Sequence, residues 1–322
     1  VTRAAAMALK SRVTLYMASP LFSEDSEDKW KQAAEAAYDI IKQKTDLGLD
    51  LVPYPQIFND VNNQKAEVIL YRPTGESGDF EKANFPIGVE GGKTSTCPTQ
   101  NLMEAYDMKD GTPFVWNNQS DPYDNRDPRM KYTIVCNEMK WPVDPVEIWE
   151  GGTNGLPLQN ATTTGYYLKK YVNNTISFEA GSTVTKKQHN WVLFRYGEIL
   201  LNYAEAMINA FHDPNYKDAV YNMSAREAVN QIRGRTNISL PGFPSDITEK
   251  DFVKRLKNER RVELAFEGHR FWDVRRWKEL GQTANIYGVK ITKNNEVISY
   301  EKFLLETRAV TDNMYFYPIP NT

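Results

Sequence analysis

"NERRVELAFEGHRFWDVRRWKEL", running from Asn258 to Leu280, is the stretch on which the reading of this chain turns. Between Asn258 and Trp277 it carries five arginines, four acidic residues, four large aromatics and one histidine. Glu259, Glu263 and Glu267 recur at i, i+4 and i+8, which lines them along one helix face. Carboxylates in that row invite an acid–base reading of the kind used in glycoside hydrolysis. Arg255, Arg260 and Arg261 lie within the same turns, however, and Arg270, Arg275 and Arg276 follow. A carboxylate beside arginine has a lowered pKa and makes a poor general acid. Paired catalytic carboxylates also come from separate elements facing a cleft, not from one helix. His269 with Glu267 and Asp273 matches no metal-ligand spacing. The pattern therefore predicts a structural clamp of Arg260, Glu263, Arg270, Trp272 and Asp273, with arginine forks paired to carboxylates and stacked on rings. Phe271 and Trp272 are expected to lock the turn after Gly268 against the preceding helix.

Working outward, helical periodicity dominates both ends. Trp30, Ala33, Ala34, Ala37, Tyr38 and Ile41 fall on one face of an α-helix. The Ala-rich segment from Ala4 to Tyr16 reads as its antiparallel partner, with no evident cap. A further helix is read from Leu193, whose stripe is Leu193, Tyr196, Leu200, Tyr203, Ala204 and Met207. "SARE" from Ser224 to Glu227 is a capping box, and Thr248 to Asp251 is a weaker one with Ile247 and Phe252 as a staple. The last long helix is expected to stop at Gly268, followed by a short helix from His269 that ends near Gly281. Paired helices with Ala at close-packing positions suggest a helical-repeat scaffold.

The middle is different in kind. From about residue 47 to 190 it is rich in Gly, Pro, Asn and Thr, with short β-like runs such as "EVILYR" and "KYTIVC". Its many aromatics, among them Tyr71, Phe80, Phe85, Trp116, Tyr123, Trp141 and Trp149, speak for order, because disordered segments are poor in aromatics. The fold class is thus mainly α, with tetratricopeptide-like helix pairs in an α–α superhelix and a long irregular insert containing short strands. The expected division is a helix pair at 1–46, the insert at 47–190, a helical part at 191–281 and an extension at 282–322.

Composition narrows the function. A net charge of −3 over 322 residues leaves no basic footprint for nucleic acid. No apolar run reaches the length of a membrane span. Tyr and Trp are plentiful, at 18 and 7, beside many amides. That mixture suits a ligand with polar edges and apolar faces, such as a sugar ring. Cys97 and Cys136 are compatible with either one disulfide or two free thiols. The three histidines lie far apart, and no cofactor is expected. The chain opens on Val1 in helical sequence and is read as a piece of a longer protein.

Six stretches, in order, carry a resemblance: "CPTQNLMEAYDMKDG", "PYDNRDPRM", "TTGYYLKKY", "LFRYGEILLNYAEA", "NERRVELAFEGHRFWDVRRWK" and the terminal "YFYPIP". Together they resemble the SusD/RagB family of Bacteroidetes outer-membrane nutrient-binding lipoproteins. The resemblance implies a tetratricopeptide-like scaffold held at the cell surface by an N-terminal lipid anchor. It implies a glycan ligand, or a peptide in some members, handed to a SusC-like TonB-dependent transporter without catalysis. The family's lipidated cysteine and first helical portion have no counterpart here. In the family, the region between a strand like "EVILYR" and "PTQNL" often supplies ligand contacts, which makes Tyr71, Arg72, Phe80, Asn84 and Phe85 candidates. Trp116 joins them because of the amides beside it in "FVWNNQSD". Trp141 and Trp149 rank lower, since they stand near scaffold motifs. "NRDPR", Asn125 to Arg129, is expected to be a turn held by Arg–Asp pairing. Two other classes of function stay open: a peptide binder on this scaffold, and a glycoside hydrolase of helical fold.

Overall fold

The computed structural model describes residues 2–24, 26–117, 121–179 and 185–317. The "NNQS" part of the Trp116 loop beyond Asn117 and the "PIP" of the terminal motif lie outside them. The scaffold is helical. Helix α1 (Arg3–Ala18) packs on α2 (Glu27–Ile41). Its start is capped after all, by the Thr2 side chain, which accepts from the Ala5 amide. Such a cap is worth about 1 kcal/mol. The predicted stripe of α2 is buried from Trp30 through Ala33, Ala34, Ala37 and Tyr38. Its alanines let the two neighbouring helices approach closely.

The insert follows. Strand β1 (Val68–Pro73) is succeeded by three short helices, α3 (Asp79–Asn84), α4 (Gln100–Met103) and α5 (Pro128–Thr133). Two-residue strands β2 (Ile134–Val135) and β3 (Tyr167–Leu168) pair antiparallel. Strand β4 (Asn190–Arg195) then returns to pair with β1, Tyr71 opposite Val192 and Arg72 opposite Trp191. Leu193 therefore sits in a strand, exposed, and not in a helix. The reason is β-branched and aromatic content: "WVLFR" satisfies the β1 ladder, and the chain turns helical only once that ladder ends.

Helix α6 (Tyr196–Phe211) is buried on nearly every face and forms the axis of the scaffold. It packs against α2, α7 (Ala225–Arg233) and α8 (Glu249–Glu263). The capping box at Ser224 and Glu227 is formed in both directions, and Thr248 caps α8. Helix α8 stops at Glu263, earlier than the sequence suggests. Gly268, at φ +83°, instead caps the start of α9 (His269–Arg276) from the left-handed region. The extension holds a long hairpin, β5 (Asn285–Asn294) and β6 (Val297–Thr307). Asn295 and Glu296 both take positive φ at its tip, the turn whose twist matches two-residue hairpins.

Three apolar clusters result. One lies among the scaffold helices, around Trp30, Leu200, Tyr203, Met207, Val229 and Phe252. A second joins the insert to the hairpin through Met103, Tyr106, Tyr166, Val289, Ile291 and Tyr300. A third bridges them around Tyr54, Phe58, Tyr171, Val192 and Leu240.

Between the clusters runs a buried ionic network, the clamp in its actual form. Glu263 accepts from Arg129 at 2.8 Å, Arg195 at 2.7 Å and Arg235 at 2.8 Å. Glu259 takes Arg129 and Arg233, and Glu67 takes Arg195 and Arg235. Glu267 lies past the helix end yet still reaches Arg195 and Lys170. A second branch runs Arg260–Asp273–Arg276–Glu205, with Trp277 Nε1 donating to Glu205 at 2.7 Å. The "NRDPR" turn does pair Arg129 with Asp127 at 2.7 Å. Arg260, Glu263 and Asp273 are buried and ion-paired within this network. Arg270 and Trp272 lie outside the network: among the described residues Arg270 donates to the side-chain amide oxygen of Gln282, and Trp272 is exposed. Phe271 and Trp272 pack on each other and on Tyr317 at the surface and do not lock the turn after Gly268. The inward face of α9 is marked by His269, Asp273 and Arg276, at i, i+4 and i+7, and Phe271 and Trp272 stand exposed beside it.

Candidate functional site

The site grows from the segment that links the third cluster to the surface. A single 3-10 turn at Tyr54–Ile57 presents Phe58. Its ring meets Tyr171 edge-on at 5.0 Å, and Tyr132 of α5 lies beyond Tyr54. Opposite stands His189, stacked on Trp191 at 5.1 Å with 13° between the planes. Phe80 of α3 closes on both rings, at 5.2 and 4.9 Å. Phe58, Tyr132, Tyr171 and His189, with Trp141, Lys169 and the loop Asn173–Thr175, line a hollow of about 480 Å³, while Phe80 and Trp191 back it.

Glu81 fixes one wall. It is fully buried, lies 3.0 Å from His189 Nε2 and accepts the Asn173 amide at 3.0 Å. Asn59, Asn174 and Thr175 are exposed on the rim, offering amide and hydroxyl groups. The floor is cationic. Lys170 donates to the carbonyl of Ala265 at 2.6 Å, to Glu267 and to the Tyr54 hydroxyl, and its ammonium sits 4.0 Å over the Phe58 ring. Burial pushes its amine down to about 8, against the pull of Glu267. Burial also lowers Lys169, whose ammonium lies 4.9 Å over Trp141.

A second hollow of about 610 Å³ shares Trp141, Asn174 and Thr175 with the first. The two adjoin at Trp141, which borders both. Trp141 is 7% exposed, and its indole Nε1 has no hydrogen-bond partner. The second wall includes the loop after Phe85. Gly88 is required there: at φ +87° a side chain is strained, and a Cβ would lie 2.3 Å from the Thr153 carbonyl oxygen.

The candidates from sequence fall into three places. Phe80 backs the groove through His189 and Trp191. Tyr71 and Arg72 lie on β1, across the ladder from Val192 and Trp191. Trp116 lies elsewhere, half-buried beside Phe114 against the second cluster. Asn84 and Phe85 are buried, at 4% and 1% exposure, and Asn84 donates to the Phe80 carbonyl. Asn84 supports the loop, while Phe85, for all its burial, borders the second hollow. Trp141 borders both hollows, and Phe58, Tyr132, Tyr171 and His189 join it from segments whose local pattern does not single them out. The paired amides in "YVNNT" beside an aromatic were the available signal.

The carboxylate row is equally placed. Burial alone would raise Glu263, but Arg235, Arg195 and Arg129 outweigh it and hold the carboxyl well below the usual range. Glu259 and Glu267 are lowered in the same way. Carboxyls that stay ionised and buried have no proton to give and no substrate to meet. Cys97 and Cys136 are free thiols. Among the described residues, no group of His, Cys, Asp or Glu is arranged to hold a metal ion.

A helical repeat scaffold carrying an aromatic, amide-rimmed groove in an irregular insert describes a class of binding protein. The model of the SusD family matches residues 56–322, and the chain belongs to that family. It is similar to a SusD-like protein of Bacteroides fragilis, at 25% identity and a TM-score of 0.77, over 98% of this chain and 62% of that one. A SusD-like carbohydrate binding protein of the same species has the same fold, at 23% identity and a TM-score of 0.78, over 98% of this chain and 62% of the other. A SusD-like protein, P38, of Formosa agariphila is 36% identical over 91 residues, 26% of this chain and 16% of that protein. The chain thus spans about 62% of the length of the two Bacteroides structures.

Proposed function

We propose that this chain is the ligand-holding part of a cell-surface glycan-binding protein. Sugar rings lie on the aromatic groove where the two hollows adjoin at Trp141, and Asn59, Asn174 and Thr175 take their hydroxyls. The capture involves no chemistry. The glycan passes to a SusC-like TonB-dependent transporter in the outer membrane, where a lipid anchor holds the protein. Among the described residues no helix is long and apolar enough to cross a membrane. The observation that carries the reading is that two hollows adjoin at Trp141, Asn174 and Thr175. Adjoining hollows can hold more than one sugar unit, and summed weak contacts suit a polymer. The resemblance to a carbohydrate binding protein of the same fold supports it.

Affinity electrophoresis against a panel of neutral polysaccharides tests the reading. Retardation by at least one polymer, lost on Trp141→Ala and Tyr132→Ala while the thermal melt stays cooperative, is the expected result. Retardation by none, with binding of oligopeptides instead, would favour the peptide-binding alternative. Release of reducing sugar would restore the hydrolase. Phe80, Tyr71 and Arg72 are proposed as supporting contacts behind and beside the groove. Trp116 is proposed to meet ligand at a separate place.

A further inference from the structure

Helix α8 has two faces with opposite electrostatic habits. The inward face carries the clamp, where the buried guanidiniums of Arg129, Arg195, Arg233 and Arg260 each meet a carboxylate. The outward face presents Lys250, Lys254, Lys257 and Arg261, spaced to share one side of the helix. They border a hollow of about 490 Å³, closed by Glu104–Asp107, by Pro113 and Phe114, and by Arg270, Glu279 and Gln282.

The acids of this hollow are already occupied. Glu104 pairs with Lys302 of β6, Asp107 with Arg233 and Arg255, and Glu279 with Lys257. Among the described residues Lys250, Lys254, Arg261 and Arg270 make no direct ion pair with a carboxylate. Arg261 donates to the Asn101 carbonyl at 2.8 Å and Arg270 to the Gln282 amide oxygen at 2.9 Å, both neutral acceptors. Burial, and then the like charge of Arg270, push Arg261 down to about 10. Glu104 acts on Arg261, and Asp273 and Glu279 on Arg270, but burial and the mutual repulsion of the two guanidiniums oppose them, and an incoming anion relieves that cost. The planar fork of arginine fits carboxylate and sulfate oxygens in pairs. Phe114 adds an apolar surface in the wall, its ring 6.4 Å from that of Trp116.

We infer that this hollow is a second ligand site, separate from the aromatic groove, that takes an acidic sugar bearing a carboxylate or a sulfate ester. The inference rests on the glycan-binding reading but uses different residues. It places the Trp116 loop next to a site of its own and gives the protein two contacts on one charged polymer.

Affinity gels at about 0.15 M salt, which suppress diffuse charge effects, decide it. The probes are polygalacturonate and its fully methyl-esterified form, and dextran sulfate and plain dextran. The full chain should be retarded by at least one acidic polymer more than by its uncharged counterpart. Retardation by polygalacturonate alone assigns a carboxylate, and by dextran sulfate alone a sulfate ester. Lys250→Gln/Lys254→Gln, exposed positions whose ammonium groups make no contact in the fold, should weaken that binding about tenfold or more. Lys10→Gln/Lys29→Gln, with the same charge change on the far helices, should leave it intact. No preference for either acidic polymer, or equal loss in both double variants, overturns the inference. Neither outcome touches the neutral-polymer test of Trp141, so the two readings fail separately.

Discussion

Arg129 Nη1 stands 2.8 Å from Glu263 Oε2, across 134 residues of sequence. The pair ties the insert to the scaffold at a point where both side chains are out of water. Glu263 serves Arg195 and Arg235 as well, so its charge is shared by three segments. Glu263→Gln keeps the shape and removes that charge, leaving three guanidiniums short of a partner. Breaking a buried pair in this way costs about 3–5 kcal/mol. Chemical denaturation should show that loss, and a change under about 1 kcal/mol would mean that Glu67, Glu259 and Glu267 can carry the network alone.

Stability should fall with acidification, in two stages. Burial, then Arg260 and Arg12, hold His269 well below its ordinary value, so the folded protein keeps it neutral. Arginine holds Glu259, Glu263 and Glu267 low, and Arg276 and Arg260 do the same for Glu205. In the unfolded chain the histidine titrates near about 6.5 and the carboxyls near about 4.3. Between unfolded and folded values only the unfolded chain binds the proton, so lower pH favours unfolding. The decline should begin gently below about pH 6.5 and steepen below about pH 4.3. Urea midpoints across that range check it: a midpoint flat between about pH 6.5 and 4.3 would contradict a neutral buried His269, and one still flat below about pH 4.3 would contradict the network's ionisation.

What was legible in the sequence is what is local. The α2 stripe from Trp30 to Tyr38 repeats every turn, and the Ser224 box closes within three residues, so both show in the letters. The clamp shows only half of itself. Glu259, Glu263 and Arg260 lie in one helix, but their partners Arg129, Arg195, Arg235 and Glu67 arrive from distant segments, and nothing local announces them. The aromatic groove has the same difficulty. Aromatic content marks the insert as ordered but does not say which rings face the groove, which is why Trp141 and Tyr171 stand in its wall while Trp116 lies elsewhere. The hairpin of β5 and β6 was readable. Tyr287, Val289 and Ile291 alternate, and Asn295 marks the turn, but the segment follows the helical part and reads as an extension.

Neighbours in the opening stretch should differ sharply when mutated. Arg260 reaches Asp273 at 2.9 Å and Asn202 at 2.7 Å, all three buried. Arg260→Ala strands those acceptors and should cost about 3–5 kcal/mol. Arg270→Ala removes one bond to Gln282, and Trp272→Ala trims a surface ring, so each should stay within about 0.5–1 kcal/mol of the parent. Thermal melts of the three variants give the ranking. Comparable losses at Arg270 and Arg260 would return Arg270 to the clamp.

Two glycines separate backbone strain from collision at the groove. Gly88 and Gly151 share φ +87°, so alanine is equally disfavoured by the backbone at both. Around Gly151 a new Cβ meets nothing within 4 Å, whereas at Gly88 it would lie 2.3 Å from the Thr153 oxygen and 2.8 Å from Asn154 Nδ2. Gly151→Ala should therefore cost about 1 kcal/mol, the left-handed term alone. Gly88→Ala must also move the loop off Thr153 and Asn154, both of which line the second hollow. It should cost about 2–3 kcal/mol and weaken neutral-glycan retardation, while Gly151→Ala leaves retardation unchanged. Equal melts and equal retardation for the two variants would show that the loop yields freely and that the groove wall does not depend on its position.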